Sequence, residues 1–118
     1  MSIQTELITL FANIADGRVY PSIAPDNPIT PYIIYSRLTS VPQNDLDING
    51  GANQLTNTRY QIDVYAETYT EAQENLELIK TALLGWSVTN VINADRDMYE
   101  QDTKLHRVLI DISTWHNS

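Results

Sequence analysis

Two imidazoles, His106 and His116, are the side chains best suited to proton transfer or metal ligation near neutral pH. They fall ten residues apart on one alternating segment. At about 3.3 Å per residue a strand would hold them ~30 Å apart, too far to share an ion. The chain has no cysteine to complete a zinc set. A hydrolase would need a nucleophile, an adjacent base and a third group to orient the base; Ser113 precedes His116 by three residues, but no Gly-x-Ser-x-Gly elbow exists. The run Asp45-Leu46-Asp47-Ile48-Asn49-Gly50 matches the first half of a calcium loop, with oxygen ligands at alternate positions and glycine at the sharp turn. The match then fails: the twelfth position is Thr56 instead of a bidentate glutamate, and no helix is predicted on either side. Asp, Asn and Gly are also the ordinary residues of tight turns. Gly50-Gly51 is an isolated pair and makes no phosphate loop. The expectation is a chain with no catalytic residues, no metal site and no cofactor, and so not an enzyme. A small enzyme or metal-binding regulator is the competing class, and a pocket with converging polar groups would favour it.

Composition narrows the partners. The net charge is −8 with only seven Lys and Arg, spread thinly, so the basic footprint of specific nucleic-acid binding is missing. Seven tyrosines without interleaved cations read as core and interface residues and not as base-stacking platforms. No apolar run approaches the roughly 20 residues of a membrane span, and the start lacks the pattern of a signal peptide. The expectation is a cytoplasmic product. A length of 118 residues fits one domain over 1–118, and an apolar fraction of 42% suffices for one core.

The elements follow from periodicity. Ile3, Leu7, Leu10, Phe11 and Ile14 form a helical stripe, predicting a helix over 2–15 with Ser2 as N-cap and Gly17 near its end. Pro21, Pro25, Pro28 and Pro31 make 18–31 irregular, with a short extended stretch at Arg18–Tyr20. Tyr32-Ile33-Ile34-Tyr35 opens a strand over 32–40 that Pro42 ends. Residues 57–67 alternate, with Tyr60, Ile62, Val64 and Ala66 on one face. Residues 70–84 form the second helix, with Thr70 and Gln73 at capping-box spacing and Ala72, Leu76, Ile79 and Leu83 inward. Gly85 is the expected C′ residue, and Trp86 packs back over the last turn. Residues 87–92 give a short strand, 95–101 another strand or a loop, and 104–115 a last strand with Val108, Ile110 and Ile112 inward. This order predicts an α+β fold: an antiparallel β-sheet with two α-helices packed on one face.

Residues 41–56 form a long polar connection, uncommon inside a compact domain. It reads as a hairpin tip or as an arm, mobile in the free subunit and ordered against a neighbour or another partner surface. Its candidate assembly residues are Leu46, Ile48, Gly50, Gly51 and Leu55: three apolar anchors and two glycines that widen the conformational range. One further regularity sets a register. Arg59 and Asp63 are four apart, as are Arg107 and Asp111. If 57–67 and 104–115 are antiparallel neighbours, one register puts Arg59 opposite Asp111, Asp63 opposite Arg107, Ile62 opposite Val108 and Tyr60 opposite Ile110.

Gly17-Arg18-Val19-Tyr20-Pro21, Pro31-Tyr32-Ile33-Ile34-Tyr35, Arg59–Ala66 followed by Thr70-Glu71-Ala72, Leu105-His106-Arg107-Val108 and Asp111–His116 together resemble the tail completion family of siphophages. The likeness spans nearly the whole chain. It implies a structural virion protein that caps the tail tube and joins tail to head as a ring, typically a hexamer. The implied partners are further copies of the chain, the tail tube protein and a head connector protein, with no specific nucleic acid and no membrane. The arm at 41–56 would then order against a neighbouring copy or a tail-tube surface. The implied location is the virion tail or neck, after assembly in the host cytoplasm. A different head–tail connector component, an adaptor or stopper, is the nearest alternative.

Overall fold

The computed structural model describes residues 3–26, 28–43 and 55–117. The order is α1 (Ile3–Leu10), a single 3-10 turn (Ala15–Gly17), β1 (Val19–Pro21), β2 (Tyr32–Gln43), β3 (Leu55–Ala66), α2 (Tyr69–Leu84), β4 (Thr89–Glu100) and β5 (Leu105–Asn117). The strands form one sheet in the order β1-β2-β3-β5-β4. The class is α+β, and buried residues of both helices join one core against the same sheet face. The sheet is not wholly antiparallel, however. β1 returns beside β2 in parallel, pairing Val19 with Ile33 and Pro21 with Tyr35.

The core is built by alternation meeting a helical stripe. Tyr60, Ile62 and Val64 of β3 and Val108, Ile110 and Ile112 of β5 point to the helices, as do Ile33 and Tyr35 of β2. Ala72, Leu76, Ile79 and Leu83 of α2 and Leu7 and Phe11 from the first helical segment close over them. Covering a side chain of this size contributes ~1.5–3 kcal/mol.

Several boundaries differ from the sequence reading, each for a local reason. α1 closes at Leu10, not at residue 15, and Ala15, Asp16 and Gly17 all adopt left-handed φ, 53°, 51° and 74°. Of the three only Gly17 carries no Cβ, and one placed there would stand 3.1 Å from the Ala12 carbonyl. Leu7, Phe11 and Ile14 are buried all the same. Ser2, the expected cap, lies outside the described residues. β2 runs through Pro42 to Gln43 and is not ended by it. β1 covers only Ile33–Tyr35, so among the described residues the far side of β2 is an open edge from Ser36 onward, where a residue without N–H is tolerated.

At α2 the N-cap is Thr68, whose hydroxyl accepts from the Glu71 N–H at 3.1 Å; Thr70 lies within the helix. Gly85 has φ −89°, so no left-handed residue ends the helix. Trp86 nevertheless turns back, donating its N–H to the Leu83 carbonyl at 3.3 Å and packing on the core. The segments at 87–92 and 95–101 are one strand, β4, interrupted by a bulge between Ile92 and Ala94. Before the bulge, Asn90 and Ile92 lie opposite Thr114 and Ile112; after it, Asp95 and Asp97 lie opposite Ile110 and Val108. The helix-facing parity switches from even to odd, which breaks the alternation a continuous strand would show.

β3 and β5 are antiparallel neighbours as expected, but their register is displaced by two. Tyr60 stands opposite Ile112, Ile62 opposite Ile110, Arg59 opposite Ser113 and Asp63 opposite Leu109. An even displacement keeps every side chain on its predicted face.

Candidate assembly surface

Behind the core lies the sheet's second face, covered by neither helix. Alternation sends Tyr32 and Ile34 of β2, Arg59, Gln61, Asp63 and Tyr65 of β3, and Arg107, Leu109, Asp111 and Ser113 of β5 to this outer face. The β4 bulge adds Ala94, Arg96 and Met98. The strands order these side chains in two rows.

The first row crosses all five strands at one end of the sheet. Tyr20 of β1 lies 6.4 Å, centroid to centroid, from Tyr32 of β2. Tyr32 stacks on Tyr65 of β3 at 4.9 Å with ring planes 13° apart. The Arg107 guanidinium of β5 lies 5.5 Å from the Tyr65 ring centre, within cation–π range. The same guanidinium donates to Glu100 of β4 at 3.2 Å and to Asp63 at 3.3 Å. Together these side chains cover Asp63, which is only 4% exposed although no helix lies on this side. Burial pushes its carboxyl above the ordinary aspartate value, while hydrogen bonds from Gln61 and the Arg107 charge oppose that rise. Burial likewise pushes the Tyr65 phenol up to about 12, against the opposing pull of Arg107.

The second row is polar. Arg59 pairs with Asp111, and Asn93, the bulge residue, donates to Ser113 at 2.8 Å. Beside it Gln61, Ala94, Asp95, Arg96, Leu109 and Asp111 line a depression of about 290 Å³. Two carboxylates of its lining are already paired: Asp111 with Arg59, and Asp95, on the helix-facing side of β4, with Lys80 of α2 at 3.0 Å. A largely flat face of paired charges and stacked rings suits contact with another protein.

Ser113 and His116 fall on opposite faces of β5, so the strand separates them. His116 lies on the Thr58 side, its Nε2 3.3 Å from Oγ1 of that residue, and His106 packs against Tyr69 and Tyr99 at 6.0 and 5.0 Å. Among the described residues no three His, Asp or Glu side chains are grouped to hold a metal ion. Thr56, the last position of the calcium-like run, belongs to β3 and pairs with Pro42 and His116. Leu46, Ile48, Gly50 and Gly51 lie outside the described residues. Leu55 begins β3, its backbone between Gln43 and Asn117. The expected connection over 41–56 is therefore shorter: Val41–Gln43 and Leu55–Thr56 are strand, and 44–54 joins an antiparallel hairpin. No helix of the described residues is long and apolar enough to cross a membrane.

The tyrosine row was not read from sequence. Its signal was the shared outward parity of Tyr32 and Tyr65, which becomes informative only once β2 and β3 are known to pair. The expectation that tyrosines serve core and interface divides accordingly: Tyr35 and Tyr60 are core, while Tyr69 and Tyr99 are exposed.

Fold and face together define a small α+β domain with one sheet face against the helices and the other uncovered by them. The same fold occurs in a solved chain from a structure described as the virion of a native gene transfer agent particle, with TM-score 0.67 at 13% identity over 92% of this chain and 84% of that one. No curated protein matches the sequence. Residues 5–117 match the family described as tail completion protein gp17. The chain belongs to this family and is a structural protein of a phage-type virion.

Proposed function

We propose that this chain, as a single domain, caps the finished tail tube and joins tail to head as the repeated subunit of a ring, with six copies the expected number. Its partners are further copies of itself, the tail tube protein and a head connector protein. It acts through surfaces and not through catalysis, and its place is the tail–neck junction, reached from the host cytoplasm. The observation that carries this reading is the family match over 5–117, nearly the whole chain. The architecture supports it. Two lateral sheet edges give each copy two different contact surfaces, and a ring repeats such a heterologous contact until it closes. The hairpin of β2 and β3 presents the 44–54 segment, with Leu46, Ile48, Gly50 and Gly51, as the arm toward a neighbour or the tube end, and Leu55 at its base.

Electron microscopy of particles made with the gene deleted tests the proposal. Overlong tails, or tails separate from full heads, are the expected outcome. Normal particles would remove the reading.

A further inference from the structure

Resting on the ring reading above, we propose that the sheet itself continues from one subunit to the next: the open half of β2, from Ser36 to Gln43, takes β4 of a second copy of this chain as its antiparallel neighbour.

Three observations carry this. The first is hydrogen bonding. Among the described residues β2 has no partner on its outer side beyond Tyr35, and β4, twelve residues long, pairs only with β5. An exposed strand edge is a row of unpaired N–H and C=O groups, ready to accept another strand. The second is polarity. β2 is antiparallel to β3, β3 to β5 and β5 to β4, so β2 and β4 run in opposite directions. In a ring whose axis follows the strands, the β4 edge of one copy meets the β2 edge of the next as an antiparallel pair. The third is side-chain chemistry. Ile23, Ile29 and Leu38 are exposed along the β1–β2 side, and Val91, Met98 and Tyr99 along β4, so both lateral edges carry apolar groups to bury. Charge agrees: Arg37 is exposed on β2, and β4 carries on the same, helix-facing side Asp97, whose carboxylate is held, among the described residues, only by the neutral donors Tyr69 and Gln73.

β1 sets the limit of the contact. By occupying the edge at Ile33–Tyr35 it leaves the neighbouring β4 only the remaining eight residues of β2.

The test uses the full chain assembled on tails, with cysteines introduced into a sequence that has none. Thr39→Cys is combined in turn with Ala94→Cys, Arg96→Cys or Met98→Cys. All four positions face outward on the sheet, and steps of two residues sample successive registers. With a short thiol cross-linker, at least one combination should give a covalent ladder rising to the full ring, and each single variant only monomer. Rings seen by microscopy without a ladder from any combination would overturn the edge contact and leave the ring reading standing. Dimers from a single β4 cysteine would overturn it in favour of a symmetric β4–β4 contact. Particles that contain the protein without any ring would overturn the ring reading and this inference with it.

Discussion

Arg107 on β5 reaches diagonally to Asp63 on β3, Nη2 to Oδ2 at 3.3 Å, although the residue directly opposite Arg107 is Tyr65. The contact joins a 4% exposed carboxylate to a guanidinium that also holds Glu100 and covers the Tyr65 ring. Removing the arginine leaves the buried charge with only Gln61. Arg107→Met should therefore destabilise the fold by about 3 kcal/mol, the low end for breaking a buried pair from one side. Urea melts measure it, and a loss below about 0.5 kcal/mol, typical of surface sites, would mean the pair is inconsequential.

The same carboxyl gives a pH signature. The Asp63 pKa is raised in the folded state, chiefly by burial, so folding favours its protonated form. That contribution is fully present below the unfolded pKa and is lost as pH rises through the folded one. Asp63→Asn, which mimics the protonated form, should gain stability relative to the parent as pH is raised from 4 to 7. A difference that stays flat, or shrinks with rising pH, contradicts this.

Two threonines separate the cap from its neighbour. Thr68→Ala should cost about 1 kcal/mol, because the Glu71 N–H loses its acceptor. Thr70→Ala, at an exposed position inside α2, should change stability by less than about 0.5 kcal/mol. Thermal melts of the two variants side by side decide the assignment; the reverse order would return the cap to Thr70.

Leu76 is 3% exposed between α2 and the sheet. Leu76→Ala should cost about 2–5 kcal/mol, a large share of what a domain of this size has to lose. Denaturant titration with an unchanged slope would confirm a pure stability loss.

The β2–β3 hairpin allows a clean test of its tip. Gln43 and Leu55 are direct antiparallel partners, so Asn-Gly in place of 44–54 can close the hairpin with a two-residue turn. Circular dichroism should show a folded protein, while tail completion in extracts should be lost. Full activity without the segment rejects its role as an arm; loss of folding would instead assign it to the core.

How much of this was written in the sequence differs by element. The inward faces of β3 and β5 were legible, because alternation with a buried side leaves no other choice for Tyr60, Ile62, Val64, Val108, Ile110 and Ile112. Their register was not: displacing one strand by two residues preserves every face, so the Arg–Asp spacing fitted two solutions. The expected ion pairs, Arg59–Asp111 and Arg107–Asp63, still form, diagonally instead of directly across. The α2 cap was ambiguous for a similar reason, since Thr68 with Glu71 and Thr70 with Gln73 have the same spacing. β1 escaped detection as a parallel strand because three residues carry no period. The outer-face row was hidden because it draws one or two residues from each of five strands and exists only after they are ordered.

The unpaired Asn93 in β4 decides more than a local kink. Because of it, Asp95 and Asp97 point toward α2, where they receive Lys80, Gln73 and Tyr69, while Arg96 and Met98 go to the outer face. Point substitutions alter this strand one side chain at a time, but losing or gaining a single residue there would exchange the two sets wholesale, unhooking the helix and inverting the outer surface in one step. β4 is thus a reading frame in miniature, tolerant of spelling changes and intolerant of changes in length.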